Sequence, residues 1–253
     1  MDLRLTDHVY VVTAASSGLG RATAEQLVAE GARVVLVARR GEVLAQAVEM
    51  LGADRAVAVA ADLAAQETAE KACARALEVF GRLDGALISV GGPPAGSVLD
   101  TTEDQWRSAF DSVFLAGLRM ANAVVRHGTA ADLALAWVLS TSVKAPIPGL
   151  AASNGLRPGL AMLVKQLADE LGPNGTRVVG LLPGRVETRR VLHLDSLAED
   201  PVAARTRAEA GIPLRRSGRP EEFGRVAAFV LSPAASYLTG SMVAVDGGAL
   251  RSL

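Results

Sequence analysis

The sequence predicts a doubly wound α/β fold, a parallel sheet covered by helices on both faces, and three observations carry that prediction. Short runs rich in β-branched residues alternate with longer segments of helical periodicity along the 253 residues. The short runs are apolar almost throughout instead of at every second residue, as befits strands buried on both faces. A glycine-rich turn follows the first run and leads into a helical pattern, which is how a strand-helix-strand unit meets a phosphate.

The elements follow in order. HVYVVT (8–13) reads as the first strand, and RATAEQLVAEG (21–31) as the helix after it, closed by a glycine suited to a C-cap. RVVLVA (33–38) and RAVAVA (55–60) are the second and third strands, and TAEKACARALEVFG (68–81) is a helix with apolar residues three and four apart. LDGALIS (83–89), ALAWVLS (134–140) and TRVVGLL (176–182) are the next strands, with helices expected over 102–127 and 150–171. MVAVDG (242–247) is the seventh. Connections of this length make neighbouring strands parallel. No linker or repeat divides the chain, so 1–253 reads as a single Rossmann-type domain of about seven parallel strands. A polar, helix-patterned stretch at about 187–219, interrupted by Pro201 and Pro213, reads as a lid-like insertion.

Composition narrows the function. Half of the residues are apolar and 21% are charged, which supplies a large core. Twenty-six basic residues against 27 acidic ones leave a net charge of −1, so no broad field attracts nucleic acid or an anionic membrane. Any phosphate must be held locally. The lone Cys73 excludes an internal disulfide and a thiolate metal cluster, and His8, His127 and His193 show no ligand spacing. No metal is expected. The start of the chain carries no basic segment before a cleavable apolar run, and no apolar stretch approaches the ~18 residues of a membrane span. A cytoplasmic protein is expected.

The turn after the first strand, TAASSGLG (13–20), brings Gly18 and Gly20 to the start of a helix, where free backbone N–H groups and the helix dipole favour a pyrophosphate. After the second strand, Ala38 stands where an acidic residue would bind the ribose hydroxyls of NAD(H). Arg39, followed by Arg40, offers a guanidinium suited to a 2'-phosphate, so NADP(H) is the expected cofactor with NAD(H) as the alternative. The competing reading of both arginines is a solvated loop. Asp62 is placed either to accept from an adenine amino group or to cap the next helix.

Together with PG (183–184), GRPEE (218–222) and SYLTGSMVAVDGG (236–248), these segments resemble the short-chain dehydrogenase/reductase family over essentially the whole chain. The overall pattern is similar to the 3-oxoacyl-carrier-protein reductases. TAASSGLG resembles the family's TGxxxGxG motif with Ala14 in place of its first glycine, and SVGG (89–92) stands where NNAG is usual. LLPGRVET (181–188) resembles the segment that packs along the nicotinamide. The resemblance implies dinucleotide contacts at Thr13, Ser16, Ser17, Gly18, Leu19 and Gly20 in the turn, and at Asp62 and Leu63 after the third strand. It adds Gly91, then Pro183, Gly184, Val186 and Thr188, and Arg157 beside the nicotinamide ribose.

In that family, catalysis uses Asn, Ser, Tyr and Lys. Here the Asn position falls on Val113, and the Tyr-xxx-Lys pair becomes Ser153 and Arg157. Ser140, thirteen residues before Ser153, matches the carbonyl-polarising Ser, with Ser142 as the alternative if the strand end slips by two. Positions 153 and 157 are one helical turn apart and face the same way. Arg157 can fix an oxygen but cannot relay a proton, which leaves Lys144, His193 or an ordered water as proton donors. Two functions are therefore expected in competition. One is an NADP(H)-dependent oxidoreductase acting on a small carbonyl or alcohol through an altered proton relay. The other is a catalytically silent dinucleotide-binding protein serving as a sensor or scaffold. The resemblance also implies a homodimer or homotetramer, built on the helices over 102–127 and 150–171 and on the last strand.

Overall fold

The computed structural model describes residues 1–196 and 198–252. Seven strands form one sheet: β1 Val9–Thr13, β2 Arg33–Ala38, β3 Ala56–Ala60, β4 Gly85–Ile88, β5 Ala134–Val138, β6 Arg177–Pro183 and β7 Met242–Val245. Their order is β3-β2-β1-β4-β5-β6-β7, and every pairing is parallel. The chain winds outward in one direction over β1 to β3 and in the other from β4 onward. The switch between β1 and β4 opens a crevice at their carboxyl ends.

Alternation along the strands supplies both faces of the sheet. Val9, Val11, Val35 and Val37 pack with α3 (Thr68–Phe80), α5 (Ala116–His127) and α6 (Ala151–Leu171) through Ala72, Cys73, Met120, Leu160 and Val164. The intervening Tyr10, Val12, Val34 and Leu36 pack with α1 (Gly18–Ala29), α2 (Gly41–Leu51) and α9 (Pro220–Leu231) through Leu27, Leu44 and Phe223. Burial pushes the Cys73 thiol up to about 12, the behaviour of an inert core residue.

The long helix expected over 102–127 is three pieces. It begins as α4 (Glu103–Ala109), capped by a reciprocal Thr102–Gln105 box, passes through a π-helical stretch at Phe110–Leu115, and continues as α5. The widened turn places Val113 in the core. The segment over 187–219 contains α7 (Arg189–Ser196) and α8 (Pro201–Ala210), latched by Arg185 to Asp195 and by Arg205 to Glu187 and Glu209. Among the described residues, no helix is long and apolar enough to cross a membrane, and no group of three metal-ligating side chains converges.

Candidate active site

The turn between β1 and α1 is held from behind. Thr13 is fully buried, its hydroxyl donates to the Ser89 carbonyl at 2.5 Å, and it accepts from the Ser89 N–H at 2.7 Å. The turn is thereby fixed to the end of β4 across the crevice. Ala14 adopts φ 51°, the left-handed region its glycine counterpart in the TGxxxGxG motif enters without strain. A Cβ on Gly20 would lie 2.7 Å from the carbonyl oxygens of Thr13 and Ala14, so only glycine lets the helix start this close to the strand. Ser17 occupies the N-cap of α1 without capping it through its side chain, which leaves the first-turn N–H groups available to an anion. Leu19 packs on the α1 side of the core.

The basic side chain on this turn is Arg40. Its Nη2 donates to Ser16 Oγ at 3.0 Å and Ser17 Oγ at 3.4 Å, while Arg39, the residue the sequence favours, is exposed beside it. Two adjacent arginines look alike in sequence, and only the direction of the chain entering α2 separates them. Asp62 does not cap α3, whose N-cap is Glu67. Its Oδ1 instead accepts from the Ala64 N–H at 3.0 Å in a local turn, because the chain takes six further residues to reach the helix. Leu63 is partly buried against the core, and Gly91 borders open space.

On the far side of the crevice, the Gly184 N–H donates to the Val245 carbonyl of the edge strand β7, and Val186 pairs with Gly218. Pro183 ends β6. Thr188 accepts from the Val191 N–H at 3.4 Å at the start of α7, and its methyl group faces Gly18. The segment after β6 therefore closes onto the glycine-rich turn.

The altered catalytic positions meet where β5 ends against α6. β5 stops at Val138, two residues short of its expected end, and Ser140 caps a 3₁₀ turn over Thr141–Val143 by accepting from the Ser142 N–H at 3.0 Å. Its hydroxyl donates to no partner among the described residues, and the residue is half-buried. Ser142 is carried inward by the same turn, and its hydroxyl lies 3.3 Å from that of Ser153, the two residues being 4% and 5% exposed. Both serines weighed for one role are thus present in two different places. Arg157 is 7% exposed, and its Nη1 donates to the carbonyls of Val138 at 2.8 Å and Leu139 at 3.0 Å. Burial lowers its pKa to about 10, with the nearby Arg190 adding to the effect, so it is cationic at neutral pH.

Lys144 and His193 are both exposed. A residue the sequence did not single out is Arg190, at the start of α7. Its Nη2 donates to the Pro93 carbonyl at 2.7 Å, and its guanidinium covers the space a Cβ on Gly92 would occupy.

A family model described as Enoyl-(Acyl carrier protein) reductase matches residues 13–249. The chain is 33% identical to galactitol 2-dehydrogenase (L-tagatose-forming) of Cereibacter sphaeroides, over 97% of this chain and 96% of that protein. It is 32% identical to dehydrogenase/reductase SDR family member 4 of Homo sapiens, over 96% of this chain and 88% of that one. Among solved structures, L-sorbose reductase of Gluconobacter frateurii with NADPH and L-sorbose superposes with a TM-score of 0.94 at 28% identity, covering 100% of both chains. An NADPH-bound short chain oxidoreductase of Pseudomonas aeruginosa PAO1, described as containing an atypical catalytic center, superposes with a TM-score of 0.90 at 30% identity, covering 98% of each chain.

Proposed function

The chain belongs to the short-chain dehydrogenase/reductase family, and from that premise we propose that it is an NADP(H)-dependent oxidoreductase interconverting a small carbonyl compound and its alcohol through an atypical proton relay. The observation that carries this reading is the buried Ser142–Ser153 hydroxyl pair, with Ser153 one helical turn from the largely buried guanidinium of Arg157. A chain that only bound a dinucleotide would have no use for the hydroxyls of Ser140, Ser142 and Ser153 near that cation. The solved relatives named above were obtained with NADPH, which supports a nicotinamide cofactor here.

The cradle fits that group. Gly18 and Gly20 let the backbone approach, the first turn of α1 offers N–H donors, and Arg40 with Ser16 and Ser17 forms a basic pocket suited to a 2'-phosphate, flanked by Arg39. Asp62 retains a carboxylate oxygen for an adenine amino group. A bound nicotinamide supplies or accepts the hydride. Ser140, with a free hydroxyl proton, hydrogen-bonds the substrate oxygen, and the charge of Arg157 stabilises that oxygen as it becomes an alkoxide. The proton that completes the alcohol passes from Ser153 and is replaced through Ser142 from solvent water, so one hydride and one proton are added and Arg157 keeps its own. In oxidation the same path runs in reverse.

NADPH should bind more tightly than NADH, and Arg40→Ala should weaken NADPH about 10- to 100-fold while leaving NADH nearly unmoved. Fluorescence titration of both cofactors checks this. Equal losses for the two would remove Arg40 from the 2'-phosphate pocket.

A further inference from the structure

Resting on the oxidoreductase reading above, we propose that the substrate carries a carboxylate close to its carbonyl group, and that the guanidiniums of Arg190 and Arg157 bind it. The argument starts from where the cations of this region find their partners. Arg185 pairs with Asp195, Arg205 with Glu187 and Glu209, and Arg216 with Glu222. Among the described residues Arg157 and Arg190 form no ion pair, and they differ from Arg189, Arg207 and Arg215, which also form none, in lying at the ends of the central strands instead of on the outer surface of the segment. Arg157 and Arg190 contact only backbone carbonyls, at Val138 and Leu139 for one and at Pro93 for the other.

These carbonyls lie at and after the carboxyl ends of β5 and β4, Val138 closing β5 and Pro93 following β4 by five residues, and the two strands are adjacent. The two guanidiniums thus reach the ends of neighbouring strands, Arg157 from α6 and Arg190 from α7. They are close enough for Arg190 to contribute to the lowered pKa of Arg157. Among the described residues, the buried side-chain nitrogens without a partner belong to Arg33 and Trp137, so the remaining N–H groups of Arg157 are not sealed away. Arg190 is exposed as a residue while its guanidinium rests on Gly92, so it can be reached from solvent.

Two neighbouring cations repel each other and the buried one, Arg157, is poorly hydrated, so an anion bound to both offsets these costs. A guanidinium presents paired donors that match the two oxygens of a carboxylate. Ser153 stands one turn from Arg157, so an anion bound there lies next to the hydroxyls assigned to the reacting oxygen. That proximity selects 2-oxo and 3-oxo acids, or the matching hydroxy acids. A phosphate of the dinucleotide is the alternative source of negative charge, and the two sources make different predictions for cofactor affinity.

The experiment compares kcat/KM for a series of 2-oxo and 3-oxo acids with that for each one's methyl ester, at saturating NADPH. NADPH Kd is measured alongside, in the wild type, Arg190→Ala and Arg190→Lys. The expected result is a preference for the acids that falls about 10- to 100-fold in Arg190→Ala and is partly kept in Arg190→Lys, while NADPH Kd holds. Equal use of acid and ester, or no acid turned over by a protein that binds NADPH and reduces neutral carbonyls, overturns the inference and leaves the proposed function standing. So does a loss of NADPH affinity in Arg190→Ala as large as the loss for the acids, which assigns the guanidinium to a cofactor phosphate. Absence of NADPH binding in the wild type overturns both.

Discussion

A guanidinium at position 157 cannot replace the amine it stands for, and its surroundings define what it does instead. A lysine can lend and recover a proton, whereas Arg157, although burial lowers its pKa, stays charged at neutral pH and holds its place through two backbone carbonyls. In the proposed reaction its contribution is a fixed positive charge in a largely buried site, where electrostatic stabilisation is strongest. The proposed proton path runs through the serines, and the three hydroxyls are not equivalent. Ser140 is half-buried with a free proton, and Ser142 and Ser153 are buried against each other. Ser140→Ala should therefore lower kcat by about 10²-fold or more, and Ser142→Ala by about tenfold, with NADPH affinity unchanged in either. Steady-state kinetics on any carbonyl that the wild type reduces checks the order. Unaltered turnover in Ser140→Ala would remove that hydroxyl from the reaction.

The helices that shape the site also carry a surface that monomeric proteins seldom leave open. Gly155 and Gly159 on α6 form notches filled by the rings of Trp106 and Phe114, so α6 packs closely on α4 and the π-helical stretch. On the same helices, Phe110 is 41% exposed and stacked on Phe114, and Met162 is 71% exposed. We propose that this face joins copies of the chain into a dimer or tetramer. Light scattering should give two or four chains per particle, and Phe110→Asp combined with Met162→Asp should reduce it to one without changing the far-ultraviolet circular dichroism. A monomeric wild type would contradict this. The elements were largely legible in the sequence, because buried parallel strands are written as unbroken apolar runs and the phosphate turn as spaced glycines. The π-helical stretch was not, since it follows from packing and leaves the apolar spacing of FLAGLRMANAVV unchanged. Nor was the position of β5's end: the strand stops at Val138, which frees Thr141–Val143 to form the turn that separates Ser140 from Ser142. Arg190 was illegible for a different reason. Its partners, Gly92 and Pro93, lie almost a hundred residues earlier in the chain, and no local pattern links them.

At the scale of the molecule, the sheet order explains why residues so far apart in sequence share one site. β1 and β4 are neighbours across the switch point, and β5 lies next to β4, so the phosphate turn, SVGG and the Ser140 turn open on the same crevice. The opposite side of β6 is anchored by Arg177, which is buried and donates to the carbonyls of Val230, Leu231, Ser232 and Ala235 at the end of α9. The buried Tyr10 hydroxyl donates to Leu231 as well. Such ties secure the scaffold without entering the crevice, leaving the carboxyl ends of the strands free for chemistry. The most direct test of this account follows the loss of NADPH absorbance as the purified protein meets a series of ketones, oxo acids and quinones. The account predicts carbonyl-dependent oxidation of NADPH that Arg157→Ala abolishes and Arg157→Lys partly retains. Firm NADPH binding with no oxidation by any member of the series, unrestored when Ser153→Tyr and Arg157→Lys are combined, would contradict it and leave a dinucleotide-binding sensor or scaffold.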